Sequence, residues 1–216
     1  MPNIDKAGFP FVAGAMVPAV LLAAARRYGW AGGFAAMGAF FAFFFRDPER
    51  RIPAGDDLVV APADGRVMIA GPSDTRWGPT GQWLQVTIFL SPLDVHINRT
   101  PVGGRVTRID YHPGKFLPAY KEDASENEMN EIWIDHDGRT VVVRQVVGVL
   151  ARRIVCRIAE GQTLQRGERI GLMKFGSRMD VYLPTDARLL VGAGDRVTAG
   201  ETVLAQLSAR PSPHGD

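Results

Sequence analysis

A single cysteine, Cys156, stands in 216 residues, so neither an intrachain disulfide nor a CxxC zinc or redox site can form. It lies in the apolar run Arg153-Ile-Val-Cys-Arg157 and reads as a small core residue. The lack of disulfides points to a reducing compartment, with the working part of the chain facing the cytoplasm. Charge of one sign is also missing: 25 Lys+Arg against 23 Asp+Glu leave a formal +2. That balance excludes a strongly basic nucleic-acid binder and an acidic disordered chain. No GxGxxG follows a strand, and no Walker lysine motif, HExxH or GxSxG occurs. The histidines at 96, 112, 136 and 214 are scattered without metal-ligand spacing, so no metal is expected.

What is present is unevenly spread. Eight of the eleven Phe fall in residues 1–45, and between Ala7 and Phe45 the only charges are Arg26 and Arg27. That pair separates two apolar runs, Phe9–Ala25 and Tyr28–Phe45, of 17 and 18 residues. A full span needs about 20 apolar residues, with a lower limit near 17. Both runs therefore suit a tight helical hairpin, spanning or monotopic, rather than two long spans. A cleavable leader fits poorly, because the apolar region is doubled and ends in Phe-Phe-Phe-Arg46 instead of small residues. Arg46, Arg50 and Arg51 follow it, as expected for a cytoplasmic side facing anionic lipid.

Beyond residue 45 the chain reads as short strands punctuated by turns. Leu58–Ala61, Arg66–Ala70, Trp83–Leu90 and Arg105–Tyr111 are rich in Val, Ile and aromatics. Glu131–His136 and Arg139–Val147 flank Asp137-Gly138, a strong two-residue hairpin signal. Arg152–Ile158, Arg169–Lys174, Asp180–Leu183, Arg188–Val191 and Glu201–Leu207 continue the series. Leu117–Asn130 is polar and acidic and suits a helix or a mobile loop. The expected fold is mainly β: a barrel- or sandwich-like catalytic domain over residues 46–209, preceded by the hairpin at 1–45 and followed by a disordered tail at 210–216.

Two turn segments, Glu160–Gly171 and Val191–Val203, echo each other and resemble the Gly-x-x-Val/Leu-x-x-Gly-Glu turns of lipoyl and biotinyl carrier domains. They suggest lipoyl-like β-topology. A carrier would need a lysine at a hairpin tip. The only candidate is Lys174 in Leu-Met-Lys-Phe-Gly, which matches neither carrier pattern. A non-catalytic, membrane-anchored carrier or scaffold is therefore the rival reading.

Six segments in order carry a more specific resemblance. They are Phe45-Arg-Asp-Pro-Glu-Arg50, Ala61-Pro-Ala-Asp-Gly65, Phe89-Leu-Ser-Pro-Leu-Asp-Val-His96, Gly114-Lys-Phe, Ala124-Ser-Glu-Asn-Glu128 and Lys174-Phe-Gly-Ser-Arg-Met-Asp180. Together they resemble the phosphatidylserine decarboxylase family, in its short, membrane-attached bacterial and archaeal branch. The resemblance covers about residues 40–207.

The resemblance implies a self-cleaving enzyme that makes its own pyruvoyl cofactor. Ser177 would attack the carbonyl of Gly176, and the chain would part into a β piece of residues 1–176 and an α piece of residues 177–216. The pyruvoyl group left at residue 177 would form a Schiff base with phosphatidylserine, which loses CO2 to give phosphatidylethanolamine. The partners implied are that lipid in the inner membrane, met on its cytoplasmic face, and the cleaved subunit itself. An oligomer formed through the apolar hairpin is a further possibility, whereas nucleic acid is not expected. An archaetidylserine or a soluble amino acid is the alternative substrate.

His96 matches the family histidine of the decarboxylation step, and histidine suits proton transfer near neutral pH. Asp64 matches an aspartate that works with a histidine and the cleavage serine. Taken alone, Gly176-Ser177 and Asp64-Gly65 would read only as turns. Longer bacterial members carry a second histidine three residues after the first, where this chain has Arg99, so the base for self-cleavage is open. Glu122, Asp123, Glu126 and Glu128 read either as a solvated face or as a lid over the headgroup, and Met129 replaces the arginine usual near the end of that stretch. Arg178 is a candidate for the substrate's carboxylate or phosphate.

Overall fold

The computed structural model describes residues 3–74, 78–119, 126–149, 154–174 and 177–208. Two compact units divide the chain: residues 1–49 with Leu93–Val95, and residues 50–92 with 96–216.

In the first unit, the two apolar runs form α1 (Phe9–Ala24) and α2 (Tyr28–Phe44), within one residue of the sequence expectation. A turn with Arg26 at φ 58° joins them. The ends are pinned together, because β1 (Asn3–Ile4) pairs antiparallel with β2 (Arg46–Asp47). The helices meet through small residues: Ala15, Ala19, Ala31 and Gly38 are buried. A Cβ on Gly38 would lie 2.7 Å from the Met16 sulfur, so glycine lets the backbones approach. Phe11 stacks on Phe45 at 5.2 Å, and Phe44 meets Phe45 edge-on at 5.0 Å, closing the base of the hairpin. The outer faces stay apolar and exposed, with Val20, Leu21, Tyr28 and Trp30 all more than 60% accessible. An exposed apolar surface of this kind marks a site of contact with a membrane or another protein. The 16 residues of α1 reach about 24 Å at the helical rise, against a hydrocarbon core of about 30 Å.

The second unit is mainly β. Its strands are β3 (Leu58–Val60), β4 (Gly65–Pro72), β5 (Leu84–Leu90), β6 (Ile97–Arg99), β7 (Gly104–His112), β8 (Met129–His136) and β9 (Arg139–Val147). The series continues with β10 (Ile154–Cys156), β11 (Thr163–Leu164), β12 (Arg169–Met173), β13 (Ser177–Leu183), β14 (Arg188–Leu189), β15 (Arg196–Val197) and β16 (Val203–Gln206). An antiparallel, curled eight-stranded sheet runs β11-β7-β8-β9-β13-β5-β4-β15, accompanied by the small sheets β10-β12-β6 and β14-β16-β3. The β8–β9 turn is the expected one: Asp137 and Gly138 both have positive φ, at 53° and 79°.

Inward-facing Val86, Ile88, Leu90, Ile132, Ile134, Val141, Val143, Met179, Val181 and Leu183 fill the core. The two echoing segments supply the edge strands β11 and β15, at opposite ends of the large sheet. Their glycines repeat one geometry, with Gly167 and Gly200 both at φ 76°. The loops they clasp are likewise related: Val60 N–H donates to Pro101 O and Arg99 N–H to Pro62 O, both at 2.9 Å.

Two sequence expectations are corrected. Cys156 is exposed and not in the core, because β10 is an edge strand whose outer face no element covers among the described residues; its Sγ faces Ile158 O at 3.7 Å. Ser177 opens a strand that begins three residues earlier than Asp180, since it is clasped on both sides. Within Leu117–Asn130 the described ends are extended loop and the start of β8; residues 120–125 lie outside the described residues, as does the tail at 209–216.

Candidate active site

Strand β13 sits in the middle of the large sheet, with Ser177 opposite Leu90 of β5 and Val147 of β9. Alternation along the strand puts Ser177, Met179, Val181 and Leu183 on the core face. Ser177 is fully buried, and its hydroxyl has no hydrogen-bond partner among the described residues. A buried hydroxyl left unpaired costs about 1–3 kcal/mol, so the fold holds this group ready at a cost in stability. Gly176 lies outside the described residues, between β12 of the small sheet and β13 of the large one.

His96 is buried and leads directly into β6. Its carbonyl accepts from Met173 N–H at 3.4 Å, which ties it to the last residue of β12, four before Ser177. Just upstream, Leu93 belongs to the first unit, where its carbonyl accepts from Arg46 Nη2 at 2.7 Å. Two residues beyond His96, Asn98 begins a chain of buried amides. Gln145 Nε2 donates to Asn98 Oδ1 at 2.9 Å, and Asn130 Nδ2 donates to Gln145 Oε1 at 3.1 Å. Gln145 shares the core face with Ser177, because β9 pairs it with Met179 and Val147 with Ser177. The sequence reading missed this trio. Its one visible signal is Arg144-Gln145, a polar pair inside the apolar run of β9.

Asp64 precedes β4, two strands from Ser177 with β5 between them. Its carboxylate accepts from Arg50 Nη2 at 2.9 Å through both oxygens and from Ala199 N–H at 2.8 Å. The structure therefore does not bring Asp64 into contact with the Ser177 hydroxyl. Arg99 is buried and donates to Gly167 O at 2.9 Å, fastening the turn before β12.

Arg178 follows Ser177 but lies on the opposite face. There it pairs with the fully buried Asp180 at 3.0 Å, and Asp180 also accepts from Thr87 Oγ1 at 2.8 Å. On the same face Arg144 pairs with Glu131 and donates to the Tyr182 hydroxyl at 3.0 Å. Burial, and then the nearby Asp180 carboxylate, push the Tyr182 phenol above its ordinary value. Burial works against the Arg144 charge, but Tyr182, Glu131 and Asp180 outweigh it and raise the guanidinium further. Each buried cation here has a carboxylate, Arg178 with Asp180 and Arg144 with Glu131, and Arg108 also reaches Glu131 at 3.9 Å.

Two more of the motif segments converge on Val147. Lys115 bridges Asn127, and a Cβ on Gly114 would lie 2.4 Å from the Asn127 backbone. Asn127 Nδ2 donates to Leu117 O and to Val147 O, both at 2.8 Å. The described end of the acidic stretch is therefore stitched to the residue beside Ser177. Glu126 is exposed and pairs with Lys115 at 2.5 Å, while Glu122 and Asp123 lie outside the described residues.

The family model for phosphatidylserine decarboxylase matches residues 37–205. The chain belongs to the phosphatidylserine decarboxylase family. Among curated relatives, the phosphatidylserine decarboxylase proenzyme of Symbiobacterium thermophilum is 48% identical over 208 residues, covering 95% of this chain and 96% of its own. The proenzyme of Cupriavidus taiwanensis is 42% identical over 212 residues (97% and 98%), and that of Burkholderia ambifaria 42% over 208 residues (95% and 97%). Coverage is near complete in both directions, so the hairpin and the β unit are both shared with these relatives. Of the motif segments from which the family was expected, Phe89–Leu90 pairs with the start of β13 and Asn127 bonds Val147 beside it, whereas Asp64 is held two strands away.

Proposed function

We propose that the chain cleaves itself between Gly176 and Ser177 and then decarboxylates phosphatidylserine to phosphatidylethanolamine and CO2. The observation that carries this is the Ser177 hydroxyl, buried and without a partner among the described residues at the first residue of a central strand. The hydroxyl oxygen adds to the carbonyl carbon of residue 176. The C–N bond then breaks and the nitrogen takes the hydroxyl proton, leaving an ester. Loss of the α-proton of residue 177 expels the carboxylate of residue 176, and water uptake with loss of ammonia leaves a pyruvoyl group.

The residues fit that group. It would be held covalently as the first residue of β13, between β5 and β9, where a core-facing side chain already stands. When bound there, it supplies an electron sink for decarboxylation of an amino acid. His96 moves the proton to the α-carbon that has lost its carboxylate, the transfer for which imidazole is suited. Asp64, held by Arg50 and the Ala199 amide, acts as a positioning group for the turn beside β4 and β15. The apolar hairpin keeps the enzyme in the membrane where its lipid resides, and we assign it to the cytoplasmic face of the inner membrane.

Intact mass under denaturing conditions tests this reading. Two pieces parting after Gly176 are expected, the smaller one lighter than its serine-started peptide by one ammonia and blocked to Edman degradation. Ser177→Ala should remain whole and inactive. A single chain near 23.5 kDa that still decarboxylates the lipid would overturn the proposal.

A further inference from the structure

Self-cleavage passes through a tetrahedral oxyanion, because the hydroxyl of Ser177 adds to a peptide carbonyl before the C–N bond breaks. A buried oxyanion needs a fixed donor. Removing one such donor from an enzyme costs roughly 10²–10³-fold in rate. We infer that Asn98 Nδ2 is that donor; the inference rests on the self-cleavage proposed above.

Three observations support it. Asn98 is fully buried, yet its Nδ2 has no hydrogen-bond partner among the described residues, the same condition as the Ser177 hydroxyl. The Gln145 amide that bonds it is paired through both its nitrogen and its oxygen, so the unpaired Asn98 nitrogen needs a reason. Second, the amide chain has a direction: Asn130 Nδ2 donates to Gln145 Oε1, and Gln145 Nε2 donates to Asn98 Oδ1. With its oxygen fixed as the acceptor, Asn98 has its two N–H groups left over to donate. Third, the register puts this chain beside the reacting serine. Gln145 and Val147 occupy one face of β9, opposite Met179 and Ser177 on β13, with no bulge between them. Asn98 reaches that face from β6, two residues after His96.

The N–H therefore belongs to the first step. As the Ser177 oxygen bonds to carbon, the carbonyl π pair moves onto oxygen and accepts from Asn98. When the pair returns, the C–N bond breaks and the amine leaves with the proton. Gln145 and Asn130 are positioning residues, which act by holding the Asn98 oxygen.

The experiment follows chain cleavage in the full-length, detergent-solubilised proenzyme, using a denaturing gel and intact mass. Asn98→Asp keeps the acceptor for Gln145 and removes the donor. It should unfold at nearly the same temperature as the parent and cleave at least 100-fold more slowly. Gln145→Glu leaves Asn98 and Ser177 unchanged but presents a carboxylate that draws the Asn98 N–H away from the serine. It too should slow cleavage at least tenfold, and it serves if Asn98→Asp fails to fold. Hydroxylamine, which cuts esters, should release no fragment from the slowed variants, because they stall before the ester forms. A folded variant that cleaves at the parental rate would overturn the inference. So would a fragment released by hydroxylamine, which places the block after the ester. If the parent chain itself never cleaves, the functional reading fails first and takes this inference with it.

Discussion

Ser177 and Arg178 are neighbours in the chain but do opposite work. The serine faces the core with its hydroxyl unpaired among the described residues, whereas the arginine faces away, neutralised by Asp180 at 3.0 Å. Burying an arginine without its carboxylate would cost several kcal/mol, so Arg178 is held by a partner rather than free for substrate. His96 differs again, being buried and tied through its backbone carbonyl to Met173, the last residue of β12. His96→Ala should fold and yet lose roughly 10²–10⁴-fold in lipid turnover, the range for removing a general acid–base group. Thin-layer analysis of labelled phosphatidylserine checks this, with cleavage scored on the same sample. Normal cleavage together with normal turnover would remove His96 from the mechanism.

Strand β13 is the element on which both faces depend. Its core face is apolar except for Ser177, and its other face carries Arg178, Asp180 and Tyr182. A run so thoroughly buried on both sides is ordinary for a central strand, but its polar residues had to be matched by neighbours on β5, β8 and β9. Tyr182 makes this testable. Its phenol is raised in the folded state, so its contribution to stability is complete below pH 10, the ordinary phenol value, and is lost as pH rises beyond it. Alkaline urea titrations should therefore show stability falling above pH 10 by about 1 kcal/mol per pH unit more in the parent than in Tyr182→Phe. Equal slopes would mean that the phenol is not held neutral.

Across the whole chain, a cut after residue 176 leaves two interleaved pieces. The C-terminal one contributes β13 between β5 and β9, β15 beside β4, and β16 beside β3. Seven register pairs to β5 and six to β9 hold β13 alone. The pieces should therefore co-elute in mild detergent and separate only on denaturation. Spontaneous separation in native buffer would contradict this interleaving. The apolar hairpin should also keep both pieces in the pellet after alkaline carbonate extraction of membranes.

Local pattern was enough for some of this. The hairpin is written in two uninterrupted apolar runs around Arg26-Arg27, because the length of a run of helix-compatible apolar residues is a property of the local sequence. The β8–β9 turn is written in Asp137-Gly138, because positive φ is a property of those residues. The family was likewise legible as ordered motifs. Pairing was not legible. Asn98, Gln145 and Asn130 come from three strands up to 47 residues apart, and only the register of β9 on β13 shows that Gln145, to which the other two bond, shares a face with Ser177. The same limit placed Cys156 wrongly, since its run is apolar but its strand lies at an edge. It also left Arg178 looking free, since its partner Asp180 shares its face only once the strand is formed. Periodicity reports what a segment can bury, whereas the neighbour that satisfies each polar group comes from contacts made across the sheet.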